Sequence, residues 1–115
     1  MKYNLTRIEA TPGEALKLVL KNIGSVPKEV MGHNFVLLKK GTDIAAFAQT
    51  AATDKASSYL PPALLDQVLV HTKQLGPQQT EELDFNAPTE PGEYDYLCTF
   101  PGHYLIGMKG VLVVK

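Results

Sequence analysis

The chain has 115 residues, 11 basic and 12 acidic, for a formal charge of −1 with its three histidines neutral. That length predicts a single domain over residues 1–115, and 44% hydrophobic with 20% charged residues is a globular composition, neither disordered nor fibrous. The near-zero charge excludes a strong electrostatic case for nucleic acid, no run of about 18 apolar residues offers a transmembrane segment, and the one cysteine, Cys98, excludes an intramolecular disulfide.

The first residues, Met1-Lys2-Tyr3-Asn4-Leu5, carry no secretory pattern. The expectation is a cytoplasmic protein, or one whose leader or anchor lies outside this sequence. Thr11-Pro12-Gly13 marks a turn, after which Leu16, Leu18 and Leu20 alternate with Lys17, Val19 and Lys21, the period of a strand. Gly24 to Pro27 reads as a loop, and His33 to Leu38 as an apolar strand ending at Lys39-Lys40-Gly41. Thr42 to Ser57 differs. It is rich in alanine, has Asp43 near its start, and spaces Ile44, Phe47, Ala48 and Ala51 as on one face of a helix, with Pro61-Pro62 as the expected stop. Gln67 to His71, Thr80 to Phe85, Glu93 to Cys98 and Gly110 to Val114 complete the strands. Short strands separated by turn residues predict an all-β fold, a Greek-key sandwich or barrel, with a short helical insertion around residues 42–57.

The chemistry concentrates near the C-terminus. Cys98, His103 and Met108 follow one another at five-residue steps, in a loop that contains Pro101, Gly102 and Gly107. Strand alternation puts Tyr94, Tyr96 and Cys98 on one face, and the glycines allow the loop to fold back so that His103 and Met108 approach the sulfur. His33 lies far upstream, where a sandwich could bring it alongside. Two imidazoles, a thiolate and a weak thioether are the donor set of a blue-copper electron-transfer site. Thiolate and imidazole hold copper in both oxidation states, and a long thioether contact favours the reduced ion.

These segments resemble cupredoxins of the azurin type. Val30 to Leu37 is similar to the segment carrying the first histidine ligand, Val70-His71-Thr72-Lys73 to a further azurin segment, and Cys98-Thr99-Phe100-Pro101-Gly102-His103, closed by Met108-Lys109-Gly110, to the ligand loop. The step from His103 to Met108 is one residue longer than in azurin, which makes the loop auracyanin-like. The resemblance implies a cupredoxin-like fold and one type 1 copper ion held by His33, Cys98, His103 and Met108. Zinc could fill the same donors during heterologous expression. It also implies a layer of residues around the ligands. Asn34 would tie the loop to the strand near the sulfur, the backbone N–H of Phe100 would donate to the sulfur, and Gly32 would stand where azurin brings a carbonyl close to copper. His71 maps to a surface position without a ligand role. Asn22 replaces a buried histidine of azurin.

The implied function is one-electron transport, not catalysis, in a periplasmic or otherwise extracytoplasmic setting, with a native membrane tether compatible with the sequence. Val26, Val30, Met31, Pro101, Tyr104 and Leu105 would form an apolar patch around the His103 edge. Redox proteins such as a cytochrome, an oxidase or a reductase would dock there transiently. Two other readings compete: a Cys98 nucleophile with a histidine base and Asn34 as orienter, which requires an accessible low-pKa thiolate, and a copper-delivery protein, which favours flexible exposed ligands over a loop framed by proline and glycine.

Overall fold

The computed structural model describes residues 3–115. Its elements in chain order are β1 (Arg7–Ala10), β2 (Ala15–Lys21), α1 (Lys28–Met31), β3 (Val36–Leu38), α2 (Ile44–Ala51), β4 (Val68–His71), β5 (Thr80–Asn86), β6 (Gly92–Leu97) and β7 (Lys109–Val114), with 3₁₀ turns at Lys55–Ser57 and Pro62–Gln67. The strands form a larger sheet in the order β1-β7-β6-β3-β4 and a two-stranded sheet of β2 and β5. The chain changes sheet between β1 and β2, β2 and β3, β4 and β5, and β5 and β6. This non-sequential order is the Greek-key sandwich that the turn spacing predicts. β1 runs parallel to β7, and the other pairings are antiparallel.

The alternation in β2 and β5 has a direct structural reading. Leu16 pairs with Phe85 and Leu18 with Leu83, and these side chains pack on the interior while Lys17 and Asp84 face water. Opposite them, Tyr94, Tyr96, Cys98 and Leu112 of the larger sheet, with Phe35 and Leu37, fill the space between the sheets. The other face of the larger sheet is also covered. Val36, Leu38 and Leu97 pack against Phe47, Ala48 and Ala51 of α2. All three residues of β3 are therefore buried, which explains why its sequence is continuously apolar rather than alternating.

The insertion departs from the expectation in its details. Asp43 caps α2, its Oδ1 accepting from Ala46 N at 3.1 Å. The helix ends at Ala51, ahead of Pro61-Pro62, and Ser58 and Tyr59 turn the chain in the left-handed region, with φ of 53° and 62°. Pro62 begins a 3₁₀ turn instead of stopping a helix, since a first-turn position needs no N–H. The expected loop Gly24 to Pro27 is present and is followed by α1, which the sequence reading did not foresee, and the strand begins at Val36 because His33 pairs only with Leu75, in an isolated bridge.

Candidate metal centre

β6 delivers Cys98 to the interior, where it is fully buried. The loop after it closes through its own backbone: His103 N donates to Phe100 O at 3.1 Å, Met108 N to His103 O at 2.9 Å and Cys98 N to Met108 O at 3.1 Å. Gly102 and Gly107 hold φ of 83° and 103°, a conformation that a side chain would strain, so these glycines let the loop return on itself. His33 arrives from the other direction. Its N–H donates to Leu75 O at 3.2 Å and its carbonyl accepts from Leu75 N at 2.7 Å, which fixes the backbone that carries the imidazole.

The fold thereby brings together residues 65 or more positions apart in the chain. One donor atom each from His33, Cys98 and His103 lies within 4.8 Å of the others. Cys98 Sγ is 3.4 Å from His103 Nδ1, and the two imidazole centroids are 4.9 Å apart. Met108 is buried in the same core as Cys98, and it lines one surface depression together with His33 and Met31. His71 stays outside, exposed at the end of β4, with its Nδ1 3.0 Å from Thr72 O.

Burial dictates the protonation of the cluster. Desolvation, reinforced by the neighbouring His33, pushes the His103 imidazole down to about 4. Desolvation lowers His33 as well. It raises the Cys98 thiol to about 11, against the opposing pull of hydrogen bonds from the Asn34 and Phe100 backbone. Near neutral pH the centre thus presents two uncharged imidazoles and a thiol that a metal must deprotonate. Among the described residues, the buried Nδ1 of His33 has no hydrogen-bond partner. An orphaned nitrogen beside a buried sulfur and a second imidazole fits a soft divalent or monovalent metal, and the addition of a thioether fits copper.

The surrounding layer holds this arrangement rigid. The Asn34 carboxamide bonds Thr99 twice, Nδ2 donating to Oγ1 and Oδ1 accepting from Thr99 N, both at 2.8 Å. The Tyr3 hydroxyl donates to Asn34 O at 2.5 Å. The Asn34 side chain therefore does the tying, while its backbone addresses the sulfur. The Phe100 ring lies 4.7 Å from the His103 ring, centroid to centroid. Gly32 is extended, so its conformation does not demand glycine. Space does, since a Cβ there would sit 2.7 Å from Gln74 Oε1 and 2.9 Å from Lys28 O. Asn22 is buried and fastens Leu75, donating from Nδ2 to its carbonyl at 2.9 Å. Thr99, Leu75 and Asn22 are structural supports of the centre whose roles no motif reveals. Each acts through a partner remote in sequence.

Of the residues expected to form the apolar patch, Val26, Val30, Pro101 and Leu105 are exposed, while Met31 and Tyr104 are half-buried. Tyr104 packs toward the α2 side and carries the Lys109 ammonium 5.1 Å from its ring centroid. Ile23 and Ile106, at 80% and 57% exposed, add to the apolar residues of these loops and were not singled out by periodicity because they lie outside any strand or helix pattern.

Residues 1–115 match the family model for copper binding proteins of the plastocyanin/azurin family. The chain is 45% identical to auracyanin-B of Chloroflexus aurantiacus over 83 residues, which is 71% of this chain and 35% of that protein. It is 40% identical to an azurin of Pseudomonas chlororaphis over 101 residues, 84% of this chain and 75% of the azurin. The match thus spans about a third of the auracyanin and three-quarters of the azurin. Among solved structures, the dithionite-reduced auracyanin of Roseiflexus castenholzii superposes with a TM-score of 0.83 at 35% identity, covering 99% of this chain and 87% of that one.

Proposed function

Since the chain belongs to the plastocyanin/azurin family of copper-binding proteins, we propose that it is a blue-copper electron carrier whose ion is held by His33, Cys98, His103 and Met108. The observation that carries this reading is the convergence of a buried thiol and two neutral imidazoles within 4.8 Å. A copper ion on these donors supplies a one-electron Cu(II)/Cu(I) couple. The protein's part is to keep the donors in place. The paired Asn34–Thr99 hydrogen bonds and the self-closed loop restrain Cys98, His103 and Met108, so little rearrangement accompanies electron gain or loss. The amides aimed at the sulfur withdraw electron density from it and favour the reduced form.

The chain carries electrons without transforming a substrate. A nucleophilic Cys98 would need exposure and a lowered pKa, whereas this thiol is inaccessible and raised by burial. A delivery role is disfavoured by the same rigidity. The exposed apolar residues Val26, Val30, Pro101 and Leu105 give a redox partner, such as a cytochrome, an oxidase or a reductase, a small and weakly held docking surface. The step from His103 to Met108, one residue longer than in azurin, supports a set of four donors without the Gly32 carbonyl. The setting is periplasmic or extracytoplasmic, free or tethered; among the described residues no helix is long and apolar enough to cross a membrane.

The axial assignment has a direct test. Met108→Gln should keep copper and lower the reduction potential, because a harder oxygen donor favours Cu(II). Voltammetry that finds the potential unchanged or raised would remove Met108 from the ligand set.

A further inference from the structure

A cavity of about 420 Å³ opens beside Asn34, and none of His33, Cys98, His103 or Met108 lines it. Besides Asn34, its walls come from three places: α1, the 3₁₀ turn Lys55–Ser57 with the residues after it, and the end of β4 at His71 with the stretch that follows. Each contributes one lysine, namely Lys28, Lys55 and Lys73. Among the described residues none of these three is in an ion pair, whereas Lys17, Lys40 and Lys115 are. Among the described residues Glu29 is the only acidic side chain on the cavity wall. In a chain with a formal charge of −1, this wall carries three lysines against one glutamate, and the two carboxylates beside its rim, Asp54 and Glu81, are each bonded to a backbone N–H.

The rim is fixed. Thr72 Oγ1 donates to Lys73 O at 2.9 Å and accepts from Phe35 N at 2.9 Å, and Lys73 N donates to Glu81 Oε1 at 2.8 Å. Across the cavity the 3₁₀ turn is capped by Asp54, which accepts from Ser57 N at 3.2 Å. Ser57 and Ser58 add hydroxyl groups to the cavity wall. Unpaired lysines and hydroxyls lining a concave site of this size match a small multivalent oxyanion, whose charge the ammonium groups neutralise and whose oxygens they bond.

We propose that this cavity binds a multivalent oxyanion, a phosphate or clustered carboxylates, and that its occupancy lowers the potential of the copper centre. The second part rests on the blue-copper reading; the first does not. Asn34 provides the connection, because it lines the cavity and its backbone addresses the Cys98 sulfur. A negative charge here stabilises the oxidised, more positive ion. By linkage the oxidised protein then holds the anion more tightly.

The test begins with metal-free protein and inorganic phosphate, titrated at constant ionic strength against sodium chloride. Amide shifts of Lys55, Ser57, Ser58 and Lys73 should saturate, and Lys55→Gln with Lys73→Gln should weaken binding about tenfold or more. Both lysines are exposed, so the double variant should fold and keep its copper spectrum. Hexaglutamate is the second probe. Saturation by phosphate identifies a free ion as the ligand, and saturation by hexaglutamate alone identifies carboxylates presented on a chain. Absence of saturable shifts with both probes, or binding that the double variant leaves intact, overturns the site. In copper-loaded protein the bound anion should lower the potential, by about 59 mV for a tenfold preference for the oxidised form. Proven binding with an unmoved potential overturns the linkage, while failure to bind copper at all would count against the blue-copper reading and leave the metal-free result standing.

Discussion

Burial sets the protonation of the donor residues before any metal arrives. The Cys98 thiol stands at about 11, and both imidazoles are held below their ordinary value. Copper uptake near pH 7.5 should therefore release about one proton, from the thiol. Calorimetric titrations in buffers of different ionisation enthalpy count it, and release of two or more would contradict neutral imidazoles in the metal-free centre. The same groups govern metal-free stability. His103 titrates at about 4 in the fold against 6.5 ordinarily, so between these values the unfolded chain binds more protons than the folded one. The stabilisation is complete above pH 6.5 and is lost as the pH falls toward 4, and the lowered His33 acts with the same sign. Urea unfolding of metal-free protein should show a midpoint that declines across that window. A flat midpoint would mean that neither imidazole is held neutral by the fold.

At the scale of the element, the sheets succeed by alternation and close packing. Gly110 of β7 faces Tyr96 of β6 in register, and a Cβ at position 110 would overlap the tyrosine ring. The ring has little freedom to yield, because its hydroxyl donates to Leu5 O at 2.6 Å. Gly110→Ala should cost about 1–3 kcal/mol of stability, as overpacked core positions do. Chemical denaturation that finds no loss would show that Tyr96 can move. Elements with a strong period were legible in the sequence. β2 and β5 announced themselves through alternating leucines and charges, and α2 through Ile44, Phe47, Ala48 and Ala51 behind the Asp43 cap. Shorter elements were not. α1 and the Pro62–Gln67 turn are too brief to establish a period, and the left-handed Ser58 and Tyr59 carry no glycine or asparagine to signal them.

For the whole molecule, legibility follows sequence distance. Cys98, His103 and Met108 share one loop, so their spacing alone suggested a metal. His33 belongs to a different segment, and the residues alone placed it only as a candidate neighbour; resemblance to azurins supplied its role. The supports that fasten the two segments, Thr99 to Asn34 and Asn22 to Leu75, join residues that only the folded sandwich makes adjacent. The cavity of Lys28, Lys55 and Lys73 was invisible for the same reason: each lysine by itself reads as a solvated charge. What the fold contributes is the meeting of these segments, and the copper centre is the central claim that follows from it. Its most direct test is the visible absorption spectrum of the purified protein after addition of Cu(II), followed by ascorbate. An intense blue thiolate-to-copper band that bleaches on reduction and returns on reoxidation is the predicted result. A folded protein that takes up copper without that band would contradict a Cys98-ligated electron carrier.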